Sequence, residues 1–240
     1  MKVGFVILVA LLTLQPSAAQ ENAGFVFARL EYPGLRDNTY IKNWYTDYPD
    51  ADNHIVTLLN RLTGIRATSE KVPLAEDIYR YPFIYIVEPA QMNITSEQAA
   101  LLREYLNRGG FLMLDDIHGD LDLLPVLVLL KRVLLDRDRL VELDISHPIF
   151  SSFYDIGEVL QVVNDGLAYC SSWCEQWENG PTGKDPKVFA HYDDDGHMNI
   201  ILMHNNDIAD GWQWLDDQNY PWQLAAFAVK MFVNSIIWML

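Results

Sequence analysis

The sequence predicts an α/β domain of three layers, α/β/α, with a mostly parallel sheet and an antiparallel hairpin added near its C-terminal side. Three observations carry that prediction. Residues 82–87 and 111–114 are short, almost wholly apolar runs, as expected of strands covered by helices on both faces. Between them lies a helix with clear ends: Thr95 and Gln98 have capping-box spacing, and Gly109 stops it. Strand, helix and strand in succession make a βαβ unit. Further on, Asp195-Gly196 separates two strand-like runs, 188–192 and 198–204, with the residues a tight hairpin prefers.

In chain order, residues 24–30 read as the first strand, and a loop rich in Tyr, Asp and Asn follows over 31–50. Asp52 is placed to cap a helix with Ile55, Leu58, Leu59 and Leu62 on one face, stopped by Gly64. Residues 65–72 form a weak second strand. The capped helix carries Ala99, Leu102, Tyr105 and Leu106 on one side. Residues 121–135 read as helix despite Pro125, and 140–143 as another short strand. The apolar stretch 222–240 contains Gln223, Lys230, Asn234 and Ser235. A charge at the centre of a membrane span costs about 2.5–3.5 kcal/mol on insertion scales, so this stretch reads as a docked C-terminal helix.

Residues 1–19 have the pattern of a cleavable signal peptide: Lys2, an apolar run over 3–14, Pro16, then Ser17-Ala18-Ala19. The expectation is a periplasmic or secreted protein whose residues 20–240 form one domain, with no membrane span after signal removal. The net charge of −16 repels phosphate backbones and makes nucleic acid a poor partner. Cys170 and Cys174 are the two cysteines. Export permits a local disulfide between them, and a loop can meet its geometry.

Ligands of open α/β sheets bind beyond the carboxyl ends of the strands. The candidates there are Glu88, Asp115, Asp116, His118, His204 and Asp207, with Arg29 and Glu31 at the end of the first strand. Carboxylates and imidazoles together suit a hard cation or acid/base chemistry. The competing role for Asp115 and Asp116 is to cap the following helix. Asp193, Asp194 and Asp195 lack calcium-loop spacing and have a turn-forming role. Trp173, Trp177, Trp212 and Trp214 lie in acidic, loop-like context, where aromatic faces suit sugars but also the edge of a core. The sequence contains no Gly-x-Ser-x-Gly elbow, phosphate loop or dinucleotide fingerprint.

Six stretches resemble a known family in their order. They are Phe25-Val-Phe-Ala-Arg-Leu-Glu-Tyr32, Tyr48-Pro-Asp-Ala-Asp52, Tyr81-Pro-Phe-Ile-Tyr85, Leu101-Leu-Arg-Glu-Tyr-Leu-Asn-Arg-Gly-Gly-Phe-Leu-Met-Leu-Asp-Asp116, His147-Pro-Ile-Phe-Ser-Ser-Phe-Tyr-Asp155 and Asn206-Asp-Ile-Ala-Asp-Gly-Trp212. From about Phe25 onward the chain resembles the bacterial family called domain of unknown function 4159. That resemblance implies a relation to class I glutamine amidotransferase-like, flavodoxin-like domains. Such enzymes hold a nucleophilic Cys on a tight turn after a strand, where this chain has Asp115-Asp-Ile-His-Gly119. Their late His-x-Glu pair is only loosely matched by His204-Asn-Asn-Asp207. With no thiolate at that turn, thiol-based acyl transfer is excluded there.

The expectation is therefore an exported, non-catalytic binding or assembly module. It would hold an envelope protein or small ligand in the crevice, with no assigned catalytic residue, dedicated metal site or cofactor. A divalent cation is compatible with the crevice. The alternative is a cation-assisted hydrolase of a glycan or envelope substrate, with Asp116 or His118 as base.

Overall fold

The computed structural model describes residues 24–35, 43–137, 139–170 and 177–240. The expected signal peptide and Cys174 lie outside them. The described strands are β1 (Phe25–Glu31), β2 (Ala67–Pro73), β3 (Phe83–Val87), β4 (Phe111–Ile117), β5 (Val141–Glu142), β6 (Lys187–Tyr192) and β7 (Met198–His204). They form one sheet in the order β2-β1-β3-β4-β7-β6-β5. The pairs from β2 to β7 are parallel; β6 runs antiparallel to both β7 and β5. The carboxyl ends of β1, β3, β4 and β7 therefore share one edge.

Helices cover both faces. The first face carries α1 (Asp50–Thr63), α5 (Ile208–Gln213) and α6 (Trp222–Met239), and the second carries α2 (Ser96–Asn107) and α3 (Gly119–Leu134). A short α4 (Asp165–Ala168) lies between β5 and β6 in sequence. Alternation within strands divides the core. Phe27, Tyr85, Met113 and Ile201 join the first layer, while Ala28, Ile84, Leu112 and Leu202 join the second. Trp212 is wholly buried, with ring centroids 5.4 Å from Tyr85 and 5.3 Å from Phe232. It is a core residue and offers no sugar-stacking face.

The capping box is present: the Thr95 side chain accepts the Gln98 N–H, and Gln98 accepts the Thr95 N–H. Gly64 ends α1 in the left-handed conformation at φ 75°. In the hairpin turn, Asp193 Oδ1 accepts the N–H groups of Asp195 and His197, and Gly196 has φ 84°. The turn-forming role read for these three carboxylates is held by Asp193, while the Asp194 carboxylate accepts Arg137 at 2.9 Å. α6 packs Phe227, Met231, Phe232 and Ile236 into the core, as a docked helix does.

One expectation is corrected. Asp52 does not cap α1, which begins at Asp50 without a side-chain cap. Its carboxylate is buried and receives the guanidinium of Arg29, with Nε 3.0 Å from Oδ1. Arg29 also donates to the carbonyls of Trp44 and Thr46. A buried carboxylate needs such a partner far more than a helix needs one cap.

Candidate functional site

β4 runs past the predicted end at Leu114 to Ile117, with a register shift against β7 between Leu114 and Ile117. That irregularity separates the two aspartates. Asp115 points to the first helical face. Its carboxylate accepts the Tyr85 hydroxyl at 2.7 Å and the N–H groups of Ile208 and Ala209 at 3.2 and 3.1 Å. Asp115 therefore seats the start of α5 on the sheet. Burial raises its pKa to about 7; the Tyr85 hydrogen bond opposes this, and the Asp116 charge adds to it.

Asp116 has φ 59° and places Oδ1 3.1 Å from His118 Nε2. His118 Nε2 also lies 3.8 Å from Glu178. Neither aspartate caps α3, whose cap position is held by His118. The backbone around that imidazole is fixed on several sides. The His118 N–H donates to Asp122, and its carbonyl accepts the Asn179 amide. The next N–H, of Gly119, donates to Asn205 Oδ1 at 2.7 Å. Asn205 in turn donates to the carbonyls of Thr182 and Asp185.

Asp207 comes in from the loop after β7. Its side chain accepts the Asp210 N–H, and its own N–H donates to Val162. One ligand atom each from Asp116, His118 and Asp207 lie within 4.8 Å of one another, and all three residues are buried. Asp47, Asp207 and Asp210 form a second such group. Asp210 also accepts the Trp214 indole N–H and the Asp165 N–H.

Glu88 sits beside this centre, buried at the end of β3 with φ 49°. The Tyr32 hydroxyl donates to its carbonyl. Burial first, then the charges of Glu88 and Asp116, push the Tyr32 pKa well up. His204 lies opposite Ile117 in the β4–β7 pairing, and its ring centroid is 6.0 Å from Phe189. Neither of its ring nitrogens makes a hydrogen bond among the described residues, although the nearby Gly119 backbone favours its charged form. Burial is the larger influence and lowers its pKa, with His118 adding to that direction. Asp47, Glu88, Asp116 and Asn205, all at this edge, hold positive φ of 63°, 49°, 59° and 54°. Such conformations cost about 1–3 kcal/mol each outside glycine and gather at functional sites.

Of the residues the sequence singles out, Asp116, His118 and Asp207 come together, and Glu88 and His204 flank them. Asp115 turns away into the fold. Arg29 is committed to Asp52, and Glu31 to Lys71 at 3.3 Å. Sequence reasoning missed Asp47, Glu178 and Asp210. Asp210 lies inside the stretch 206–212 already quoted, whereas Asp47 and Glu178 sit in loops with no periodicity to mark them. Cys170 is disulfide-bonded, while Cys174 lies outside the described residues. Trp173 also lies outside them.

No curated protein matches the chain. A family profile described as a domain of unknown function, DUF4159, matches residues 26–240. With nearly the whole described chain covered, including every residue of the crevice, the protein belongs to the DUF4159 family.

Proposed function

We propose that this chain is an exported binding module whose crevice holds a divalent cation on Asp116, His118 and Asp207, and that the cation helps retain an oxygen-rich group of its ligand or partner. The carrying observation is the convergence of two carboxylates and one imidazole within 4.8 Å. Such a donor set suits hard or borderline divalent ions, and three protein ligands leave positions for an outside group. The location also supports the reading, because the carboxyl edge of the sheet is where such folds bind ligands. The disulfide at Cys170 and the signal-like residues 1–19 support export to the periplasm or medium. A relation to amidotransferase-like domains belongs to the same proposal. The left-handed Asp116 then stands at the strand-end turn those enzymes use for their Cys.

Calorimetric titration of the purified chain with Mn2+, Zn2+, Mg2+ and Ca2+ tests the centre. Saturable binding to wild type and its loss in Asp116→Asn and Asp207→Asn is the expected result. Binding by none of the four ions, or equal binding by both variants, overturns it.

The alternative is a cation-assisted hydrolase acting on a glycan or envelope substrate. With the cation on Asp47, Asp207 and Asp210 instead, the 3.1 Å contact between Asp116 and His118 favours it, since a base beside a cation can take a proton from bound water. Product release from envelope glycans by wild type, abolished in His118→Gln, would move the assignment from binding module to enzyme.

A further inference from the structure

The carboxyl edge of the sheet holds two groups of ligand-type side chains, and the groups overlap. Asp116, His118 and Asp207 make the first; Asp47, Asp207 and Asp210 make the second. Within each group, one ligand atom per residue lies within 4.8 Å of the others. Asp207 belongs to both, and among the described residues it is the one member they share. The single-cation readings above use one group or the other, never the two together. Carboxylates gathered at a surface need no ion, because water solvates them. Here Asp116, Asp207 and Asp210 are buried, and the His118 imidazole stands among them. Buried carboxylates require a counter-charge. Arg29 feels the charge of Asp47, but its guanidinium is bound by Asp52. A separate sign of a ligand lies beside His118. His204 is 7% exposed and feels the His118 charge, and neither of its ring nitrogens makes a hydrogen bond among the described residues. Buried polar side chains are nearly always paired, so a ring left this way marks a place for a group from outside.

We propose that the crevice takes a pair of divalent cations, one in each group, bridged by the Asp207 carboxylate. This rests on the cation reading above and adds a second ion to it. A carboxylate has two oxygens and about four lone-pair sites, so one residue can serve two ions. Paired metal ions in proteins stand about 3.5–4 Å apart, a span that a single carboxylate bridges. The charges agree with a pair. One divalent ion offsets two of the carboxylates among Asp47, Asp116, Asp207 and Asp210, and a second offsets the other two. The ligands are also held in place by neighbours. Asp207 accepts the Asp210 N–H, and Asp210 accepts the Trp214 indole N–H and the Asp165 N–H. Hydrogen bonds of this kind orient ligating carboxylates around an ion. The two places are unequal. The first is buried throughout and offers a nitrogen donor; the second is all oxygen, and its Asp47 is half-buried. The first therefore fills with Mn2+ at the lower concentration and the second follows.

Titration of the purified full chain with Mn2+, followed by equilibrium dialysis and electron paramagnetic resonance, is the test. The wild type is expected to bind two Mn2+ in two steps and, when both are bound, to give the broadened spectrum of exchange-coupled ions. Asp47→Asn keeps a residue that tolerates the left-handed backbone at that position. It should hold one Mn2+ with the spectrum of an isolated ion. Asp116→Asn should lose the tighter step and keep the weaker one. The wild-type spectrum decides the matter even where a variant fails to fold. Two ions without coupling overturn the pair, and so does a count of two that survives in Asp47→Asn. One ion per wild-type chain, lost in Asp116→Asn and kept in Asp47→Asn, overturns the pair and leaves the single-cation reading standing. A chain that binds no Mn2+ overturns the pair as well, and the other three ions of the calorimetric series then decide the single-cation reading.

Discussion

Asp115 and Asp116 are adjacent in sequence and both buried, yet they belong to different parts of the molecule. Asp115 faces the α1/α5/α6 layer, where a hydroxyl and two amides of the protein's own surround its carboxylate. Asp116, turned by its positive φ, faces an imidazole and a second carboxylate. The first arrangement completes a fold; the second collects donors at an edge where ligands bind. Burial and charge alone do not distinguish them. What distinguishes them is whether the neighbours are donors of the backbone or other ligand-type side chains.

The largest expected effect falls on the structural member of the pair. Asp115→Ala strands three buried donors at about 1–3 kcal/mol each. That sum approaches the roughly 5–15 kcal/mol stability of a typical domain. Urea unfolding should show a severe loss for Asp115→Ala and a much smaller one for Asp115→Asn, which keeps an acceptor. A mild Asp115→Ala phenotype would erase the contrast.

Next in size is the response to cation. Saturating the proposed centre at 100 times its Kd should stabilise the chain by about 2.7 kcal/mol. The rise in melting temperature should persist in Asp115→Asn and vanish in Asp116→Ala, which should still fold. A cation-free Asp116→Ala that fails to fold would move Asp116 into the structural class with its neighbour.

Gly119→Ala probes the loop that carries His118. Gly119 has φ 59°, and an added Cβ would lie 2.9 Å from Thr182 Oγ1 and 3.1 Å from the Asn179 carbonyl. Left-handed backbone alone costs an alanine about 1–2 kcal/mol. A loss of that size in melting experiments, with weaker cation binding, is expected. Unchanged cation binding would show that the centre tolerates movement of its imidazole.

The smallest effect concerns a histidine away from the crevice. His147 lies 3.1 Å from the Tyr192 hydroxyl, and burial lowers its pKa below the ordinary 6.5. The folded state thus favours the neutral ring. Its contribution is present above pH 6.5 and is lost as pH falls through the depressed value. Melting temperatures measured downward from pH 7 should fall less steeply in His147→Asn than in wild type. Identical slopes would show that this ring does not report burial.

Much of the fold was legible in the residues. Thr95, Gln98 and Gly64 act locally, so their signals survive into the structure unchanged. The apolar runs of β3 and β4 announced a doubly covered sheet because burial on both faces removes alternation. Legibility failed where a partner is distant in sequence. Asp52 had the right type and place for a cap, but Arg29, 23 residues away, took it for an ion pair. The same holds for the crevice. Strand ends pointed to Asp116, His118 and Asp207, whereas Asp47 and Glu178 arrive on loops whose course no local pattern specifies. Nor could the sequence separate Asp115 from Asp116, because the register shift between Leu114 and Ile117 decides which way each one points.

Arg29 has a mechanical consequence. One guanidinium fastens α1 through Asp52 and the loop before it through the carbonyls of Trp44 and Thr46, and it springs from β1, a strand paired on both sides. The backbone leading to Asp47 is thereby riveted to β1 and shares its fate. Amide hydrogens of Thr46 and Ala51, bonded to Asn43 and Asp47, should exchange with solvent at the rate of the strand core, not at that of a surface loop. Binding at the carboxyl edge would then be felt by the whole first layer as one opening unit.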